Sequence, residues 1–383
     1  MAHKALEVQV FSTAPSCFGV GEMFIGNQSR NKVERAISEV RRGLPILIYD
    51  DENNYLLLAA AETLEKNLFS QYKLISGNVY VTLTASKVKY ICQSKEHSSK
   101  RLLISNFDEL LHLINCSKED WMKELQCSKT IDEYAVALLK FSELLPYALV
   151  ADMTFENKHE MRNWCEENDI IALNTLLVND FQQNHSVYEV CKTSLFLKQT
   201  QEVDIISYRT KSGGREHYAI IIGNPDKDNE PLVRIHSSCY TGDLLDSLSC
   251  DCRSQLHQAI QIMTDFGNGI ILYLMQDGRG IGLTNKLRAY SMQRKYNLDT
   301  VDANRVLGFE DDERSFAVAA KILKKLNINK IQLLTNNGRK LSELKNNGIE
   351  VTKCIPLIME RNEYNDSYME TKFGKLGHGL RVY

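Results

Sequence analysis

A chain of 383 residues with 43% hydrophobic and 25% charged content has material for two globular domains. A formal net charge of −3 gives no overall attraction to nucleic acid or to an anionic membrane, so neither is expected as a partner. The segment MAHKALEVQVF lacks a signal-peptide core, no apolar run is long enough to span a bilayer, and ten cysteines in this length are no disulfide framework; a cytoplasmic protein is expected.

In chain order, helical spacing covers Lys32–Arg42, a strand follows at Pro45–Tyr49, and a helix is expected over Ile131–Leu144. Residues 93–128 are polar and carry no clear period. The polar stretch Gln182–Asn184 reads as a domain junction, and two domains are expected over residues 1–200 and 201–383. Strands at Tyr218–Ile222 and Leu232–His236 flank a turn at Pro225–Glu230. After Cys252, Leu256, Ala259, Ile260 and Met263 recur at helical spacing until Gly267 stops them. Gly269–Met275 has the continuous apolar character of a buried strand. A glycine-rich loop, 276–282, leads into a helix from Asn285 to about Tyr296. A further helix is expected from Asp312 to Leu326, with Phe316, Ala319, Ala320 and Leu323 on one face. Lys330–Thr335 reads as a strand, Arg339–Asn347 as a short helix and Ile349–Leu357 as a strand. The alternation predicts an α/β (mixed α+β) layered fold.

Four features carry chemistry. Cys239, Cys250 and Cys252 lie within VRIHSSCYTGDLLDSLSCDC. Three thiolates leave one tetrahedral position of a zinc ion open, as catalytic sites do. The spacing equally allows three neighbouring thiols, or a closed site completed by His236 or His257. In the loop 276–282, three glycines let backbone N–H groups approach an anion and Arg279 offers a bidentate clamp; a tight turn is the plain alternative. Asp312-Glu313-Arg314 sits where a helix should begin. The dipole explains the two acids, whereas Arg314 fits an anion held there. Thr335-Asn336-Asn337-Gly338, followed by Arg339 and Lys340, stands at the end of a strand, where α/β sheets bind ligands. Tyr290, on a helix, reads as packing when taken alone.

Taken together, VRIHSSCYTGD, SLSCDC, QDGRGIGLTNKLRAY, DTVDANRVLGF, DERSF, LLTNN and KLGH run in register over residues 203 to 378 and closely resemble GTP cyclohydrolase II of riboflavin biosynthesis. The resemblance implies a zinc ion held by Cys239, Cys250 and Cys252. It implies hydrolysis of GTP, with magnesium, to formate, pyrophosphate and 2,5-diamino-6-(5-phosphoribosylamino)pyrimidin-4(3H)-one. Asp312 matches the family's proton acceptor, Arg314 its proposed nucleophile toward the α-phosphorus, and Tyr290 a tyrosine near the attacked carbon. A guanidinium stays protonated, so Arg314 is better read as a stabiliser of phosphoryl charge. The GTP contacts carry over to Arg234, Ile235, His236, Ser237, Ser238, Gln255, Asp277, Gly278, Arg279, Thr300, Thr335 and Lys340. A homodimer is the implied assembly. This chain departs from the family at Ser238 and Asp277, where glutamate is usual, and at Arg253, where glycine is usual. A GTP-binding regulatory or scaffold protein, and a cyclohydrolase that stops at a formamido intermediate, are the competing expectations.

Residues from about Lys32 to Tyr188 resemble 3,4-dihydroxy-2-butanone-4-phosphate synthase through VERAISEVRRGLPILIYDDEN, AAAETL and IDEYAVALLKFSELLPYALVADM. The resemblance also marks what is missing. The acidic loop stops after Asp50-Asp51-Glu52, Ile131 stands where a metal-binding histidine is expected, and Asp152 replaces an active-site glutamate. This domain is therefore expected to be inactive.

Overall fold

The computed structural model describes residues 32–92, 98–115, 125–183, 186–200, 202–211, 213–225 and 230–357. The KLGH match, part of the polar stretch 93–128 and part of the turn 225–230 lie outside the described residues. Two seven-stranded sheets organise the chain, in keeping with the mixed α/β expectation.

The first sheet contains β1 (Ile46–Tyr49), β2 (Tyr55–Ala60), β3 (Tyr80–Leu83), β4 (Lys100–Leu103), β5 (Gln126–Cys127), β6 (Ala148–Met153) and β7 (Ile171–Asn174), in the order β5-β4-β3-β6-β2-β1-β7. Among the described residues, β1 and β7 are the one neighbouring pair of this sheet that is parallel. Successive residues of a strand face opposite ways, and here each face feeds its own core. Leu47, Leu57 and Ala59 enter one cluster, and Ile46, Ile48, Leu56, Leu58 and Ala60 the other. Both faces being covered explains why β2 is apolar throughout. The helix Thr130–Phe141 lies on the second face through Ile131, Ala135 and Leu138.

The second sheet contains β8 (Val187–Phe196), β9 (Glu202–Thr210), β10 (Glu216–Gly223), β11 (Leu232–Ser237), β12 (Asn268–Leu274), β13 (Lys330–Leu334) and β14 (Glu350–Ile355), ordered β14-β13-β11-β12-β10-β9-β8. β8, β9, β10 and β12 pair antiparallel, whereas β12, β11, β13 and β14 form a parallel half. β8 lies before residue 200 yet belongs to this sheet. The change of sheet therefore falls between the helix Thr175–Gln183 and β8, close to the expected polar junction. Gly267 ends the helix Cys252–Phe266 in a left-handed cap, as its position suggests.

One expected boundary is wrong. No helix begins at Asp312; it begins at Ala317 and runs to Lys325. Asp312 turns its carboxylate onto Arg314, whose backbone N–H and guanidinium it accepts, and so does not cap a helix. The carboxylate of Glu343 takes the Phe316 N–H instead. The segment 310–316 is consequently a loop. The helix Thr300–Val306, capped by Asp299, was not anticipated from the sequence.

Candidate active site

The parallel strands β11, β12 and β13 end together, and their continuations build one site. This is where open α/β sheets place ligands. β11 leads through Ser238, whose N–H donates to the Leu274 carbonyl, to Cys239. A single wide helical turn, Tyr240–Leu244, follows, and Cys252 opens the next helix. The three cysteine sulfurs lie within 4.8 Å of one another, with 3.8 Å between those of Cys239 and Cys250.

Gly242 makes this approach possible. A Cβ there would stand 2.8 Å from the Cys250 sulfur, 2.9 Å from Cys252 Cβ and 3.1 Å from the Cys239 sulfur. Its N–H donates to Cys239 Sγ at 3.3 Å. Three soft donors converging over a glycine fit a tetrahedral zinc ion with one position open. The closed alternative loses its candidates. His257 pairs with Gln199 at 2.8 Å, and His236 stacks on Tyr273 and faces Asp243. Among the described residues the cluster consists of the three cysteines.

Two carboxylates and a lysine hold the cluster. Asp243 accepts from the Cys239 N–H at 3.0 Å and from the Tyr273 hydroxyl at 2.7 Å. Asp277 accepts from the Tyr240 N–H at 2.7 Å. Lys286 donates both to Asp277 and to Cys239 Sγ, each at 3.0 Å. Hydrogen bonds from Cys250 and Cys252, with the Lys286 ammonium, hold Cys239 far below the usual thiol range. Cys239 in turn pushes Cys250 up to about 11 and holds Cys252 well above its usual value. Asp277, expected as a GTP contact, thus spends its carboxylate on the cysteine turn. Lys286, Asp243 and Tyr273 were not singled out from the sequence. Lys286 stands one helical turn before Tyr290, whose ring centroid is 6.0 Å from the ammonium, and that spacing was the available signal.

Beside the sulfurs the wall is polar and incompletely satisfied. Ser238 Oγ, His236 Nδ1 and Arg234 Nε are buried without a hydrogen-bond partner, an arrangement that calls for a polar ligand. Arg234 binds the Leu334 carbonyl at 3.0 Å and Gln255 at 2.5 Å, and burial lowers its pKa to about 10. Burial likewise lowers His236 and keeps the imidazole neutral. Ser237 Oγ accepts from Gln276. From the neighbouring strand end, Lys340 donates to the Ile235 carbonyl at 2.7 Å, and Thr335 Oγ1 accepts the Asn337 N–H. Thr300 begins the helix that packs on the one carrying Lys286 and Tyr290.

The glycine loop and the 312–314 segment are laced together. Gly278, Arg279, Gly280 and Gly282 all have left-handed backbone, which costs the arginine about 1 kcal/mol. A Cβ on Gly280 would meet the Glu313 carbonyl carbon at 2.8 Å, and the Glu313 N–H donates to Arg279 O at 3.0 Å. Arg314 grips Asp312 with two bonds of 2.8 and 2.7 Å. Burial raises the Asp312 pKa, but the guanidinium outweighs it and holds the carboxyl below its ordinary value. Arg339 donates to the Asp312 and Arg314 carbonyls, each at 2.6 Å. After burial, the Arg314 guanidinium adds a small further lowering of the Arg234 pKa.

The first sheet presents a different picture. Asp50 folds the β1–β2 hairpin by accepting the Glu52 and Asn54 N–H groups. Ile131 is core. Asp152 is bound by Arg101 at 2.7 Å and Lys129 at 2.8 Å, and Arg101 also binds the buried Asp132 twice at 2.8 Å.

A family model described as GTP cyclohydrolase II matches residues 189–356. A protein named GTP cyclohydrolase-2 from Azospirillum brasilense is 42% identical over 246 residues, 64% of this chain and 63% of its own. A riboflavin biosynthesis protein RibBA from Synechocystis is 38% identical over 256 residues, 65% of this chain and 46% of its own. A GTP cyclohydrolase-2 from Xylella fastidiosa is 32% identical over 359 residues, 93% of this chain and 89% of its own. An alignment of that extent, through both sheets, leaves one assignment: the chain belongs to the GTP cyclohydrolase II family.

Proposed function

We propose that this chain hydrolyses GTP to the diaminopyrimidine, formate and pyrophosphate, the first step of riboflavin biosynthesis. The cysteine trio carries the reading: three sulfurs converge over Gly242 beside the unsatisfied Ser238 and His236 atoms. Cys239, Cys250 and Cys252 would hold one zinc ion, which when bound supplies an activated water for C8 of guanine. A magnesium ion would accompany the triphosphate.

The chain's own groups do the rest. Lys286 and Asp243 fix Cys239 through its sulfur and its N–H. Arg279 and the left-handed backbone around it offer donors to the phosphates. Asp312, ionised beside Arg314, accepts a proton. Both its oxygens are taken by the guanidinium, so the pair must open as the substrate enters. Arg314 then turns to the α-phosphate and stabilises its charge.

The two domains are read as residues 1–200 and 201–383, although β8 (Val187–Phe196) already pairs into the second sheet. The first-sheet unit, read as a retired butanone-phosphate synthase, lacks the chemistry. Ile131 is buried among apolar groups, and Asp152 is neutralised by Arg101 and Lys129.

The test is to supply zinc-loaded protein with GTP and magnesium and to measure formate, pyrophosphate and the diaminopyrimidine. All three are expected, and Cys250→Ser should abolish zinc binding and formate together. Pyrophosphate without formate would favour the enzyme that stops at the formamido intermediate. Tight GTP binding with no product would favour a regulatory protein. Butanone phosphate formed from ribulose 5-phosphate would overturn the retired-domain reading.

A further inference from the structure

The first-sheet unit does more than adjoin the candidate site. The helix Thr130–Phe141 ends in a turn whose residues reach both substrate-facing segments. Lys140 binds Glu313 at 2.6 Å, with both side chains about four-fifths buried. Glu313 stands between Asp312 and Arg314. It also accepts the Glu310 N–H at 2.9 Å and donates its own N–H to Arg279 O.

Three residues on, Glu143 has left-handed backbone and points into the glycine loop. A Cβ on Gly282 would meet the Glu143 carboxylate at 3.1 Å, and Arg215 closes an ion pair on that carboxylate. The Glu143 carbonyl accepts from Asn285 at 2.9 Å, at the start of the helix that carries Lys286 and Tyr290. The turn is itself anchored, because Arg41 donates to the Ser142 carbonyl at 2.9 Å. The helix end and the turn after it, residues 140–143, therefore touch the loop 276–282, the segment 312–314 and the helix bearing Lys286.

We propose that Lys140 and Glu143 are positioning residues for GTP hydrolysis, and that the first-sheet unit serves as a clamp aligning the two segments that carry Arg279 and Asp312–Arg314. The inference rests on the proposed activity. Neither residue reaches the sulfurs; each acts through Glu313, Gly282 or Asn285. Holding two loops in register is the kind of contribution that affects turnover more than ground-state binding, since a displacement of about 1 Å can cost on the order of 100-fold in rate.

The test compares wild type with Lys140→Met, Glu143→Gln and the exchange pair Lys140→Glu/Glu313→Lys. Bound zinc should be unchanged in all of them. In Lys140→Met and Glu143→Gln, kcat should fall about tenfold or more with KM for GTP altered less than about threefold. Lys140→Glu alone should be worse, and adding Glu313→Lys should restore most of the loss. A bystander contact would lower thermal stability without that split or that rescue.

Amide hydrogen exchange gives a readout that needs no turnover. Residues 277–282 and 310–315 should exchange faster in Lys140→Met and Glu143→Gln, with the β11–β12 amides unaffected. Unchanged kcat and unchanged exchange in both variants would overturn the clamp. Absent formate release by wild type would instead refute the proposed activity, and the exchange data would still decide the clamp.

Discussion

At the scale of single residues, the site depends on what is small as much as on what is reactive. Gly242→Ala would put a methyl 2.8 Å from the Cys250 sulfur and 3.1 Å from the Cys239 sulfur, so the sulfurs themselves would have to move. Zinc affinity is expected to fall about 10- to 100-fold, measured by competition with a chromophoric chelator. Asp312 gives a pH prediction with a definite sign. Its carboxyl is held below the ordinary value, so the contribution of the Asp312–Arg314 pair is complete above about pH 4 and is lost only as pH falls through the lower folded value. Asp312→Asn should therefore narrow its stability difference from wild type below about pH 4 in urea titrations, and leave it constant from pH 5 to 8. Buried charge sets a second expectation. Asp132 is fully buried and shares Arg101 with Asp152. Asp132→Ala should cost about 3–5 kcal/mol in urea denaturation, because it leaves a buried guanidinium short of its partner. The three cysteines were legible because ligand chemistry is local in sequence. Lys286 was not, since a lysine on a helix reads as a solvated charge until the fold turns it onto Cys239.

At the scale of elements, apolar runs and glycine stops located most of the strands and helices of the second sheet. The buried strand β12, the helix ended by Gly267 and the helix carrying Tyr290 all lie close to their expected limits. The failure at Asp312 is instructive. Two acids before an apolar helical face look like a helix start, but a side chain two residues away offered Asp312 a charged partner, and Glu343 from the helix Gly338–Asn346 supplied the missing acceptor. That acceptor is 27 positions from the N–H it satisfies, beyond the reach of any local pattern. Glu343 also accepts from Arg339, which holds the 312–314 backbone. Glu343→Ala should thus loosen the candidate site while sparing the cysteines. The expected result is a raised KM for GTP with stoichiometric zinc retained.

At the scale of the whole molecule, each sheet has cores of its own, but one core is shared between the two halves of the chain. Ile281, Ala289, Ala303, Leu307 and Phe309, all from the second half of the chain, belong to the cluster built on the first sheet. Thr84, Lys87 and Tyr147 of the first unit donate to the carbonyls of Gly308 and Val306 at 2.6–2.9 Å. Sequence patterning gives no warning of this, because an apolar face announces only that it is covered. A division at residue 200 would predict two thermal transitions. The shared cluster predicts one calorimetric transition for the full chain, and a fragment beginning near β8 that is poorly soluble.

The shared cluster also gives the order of synthesis a meaning. The first sheet leaves the ribosome before Ile281–Phe309 exists, so its newly folded face waits exposed until that stretch arrives. Whatever chemistry it carries, the first-sheet unit would then be the template on which the later-made half is assembled.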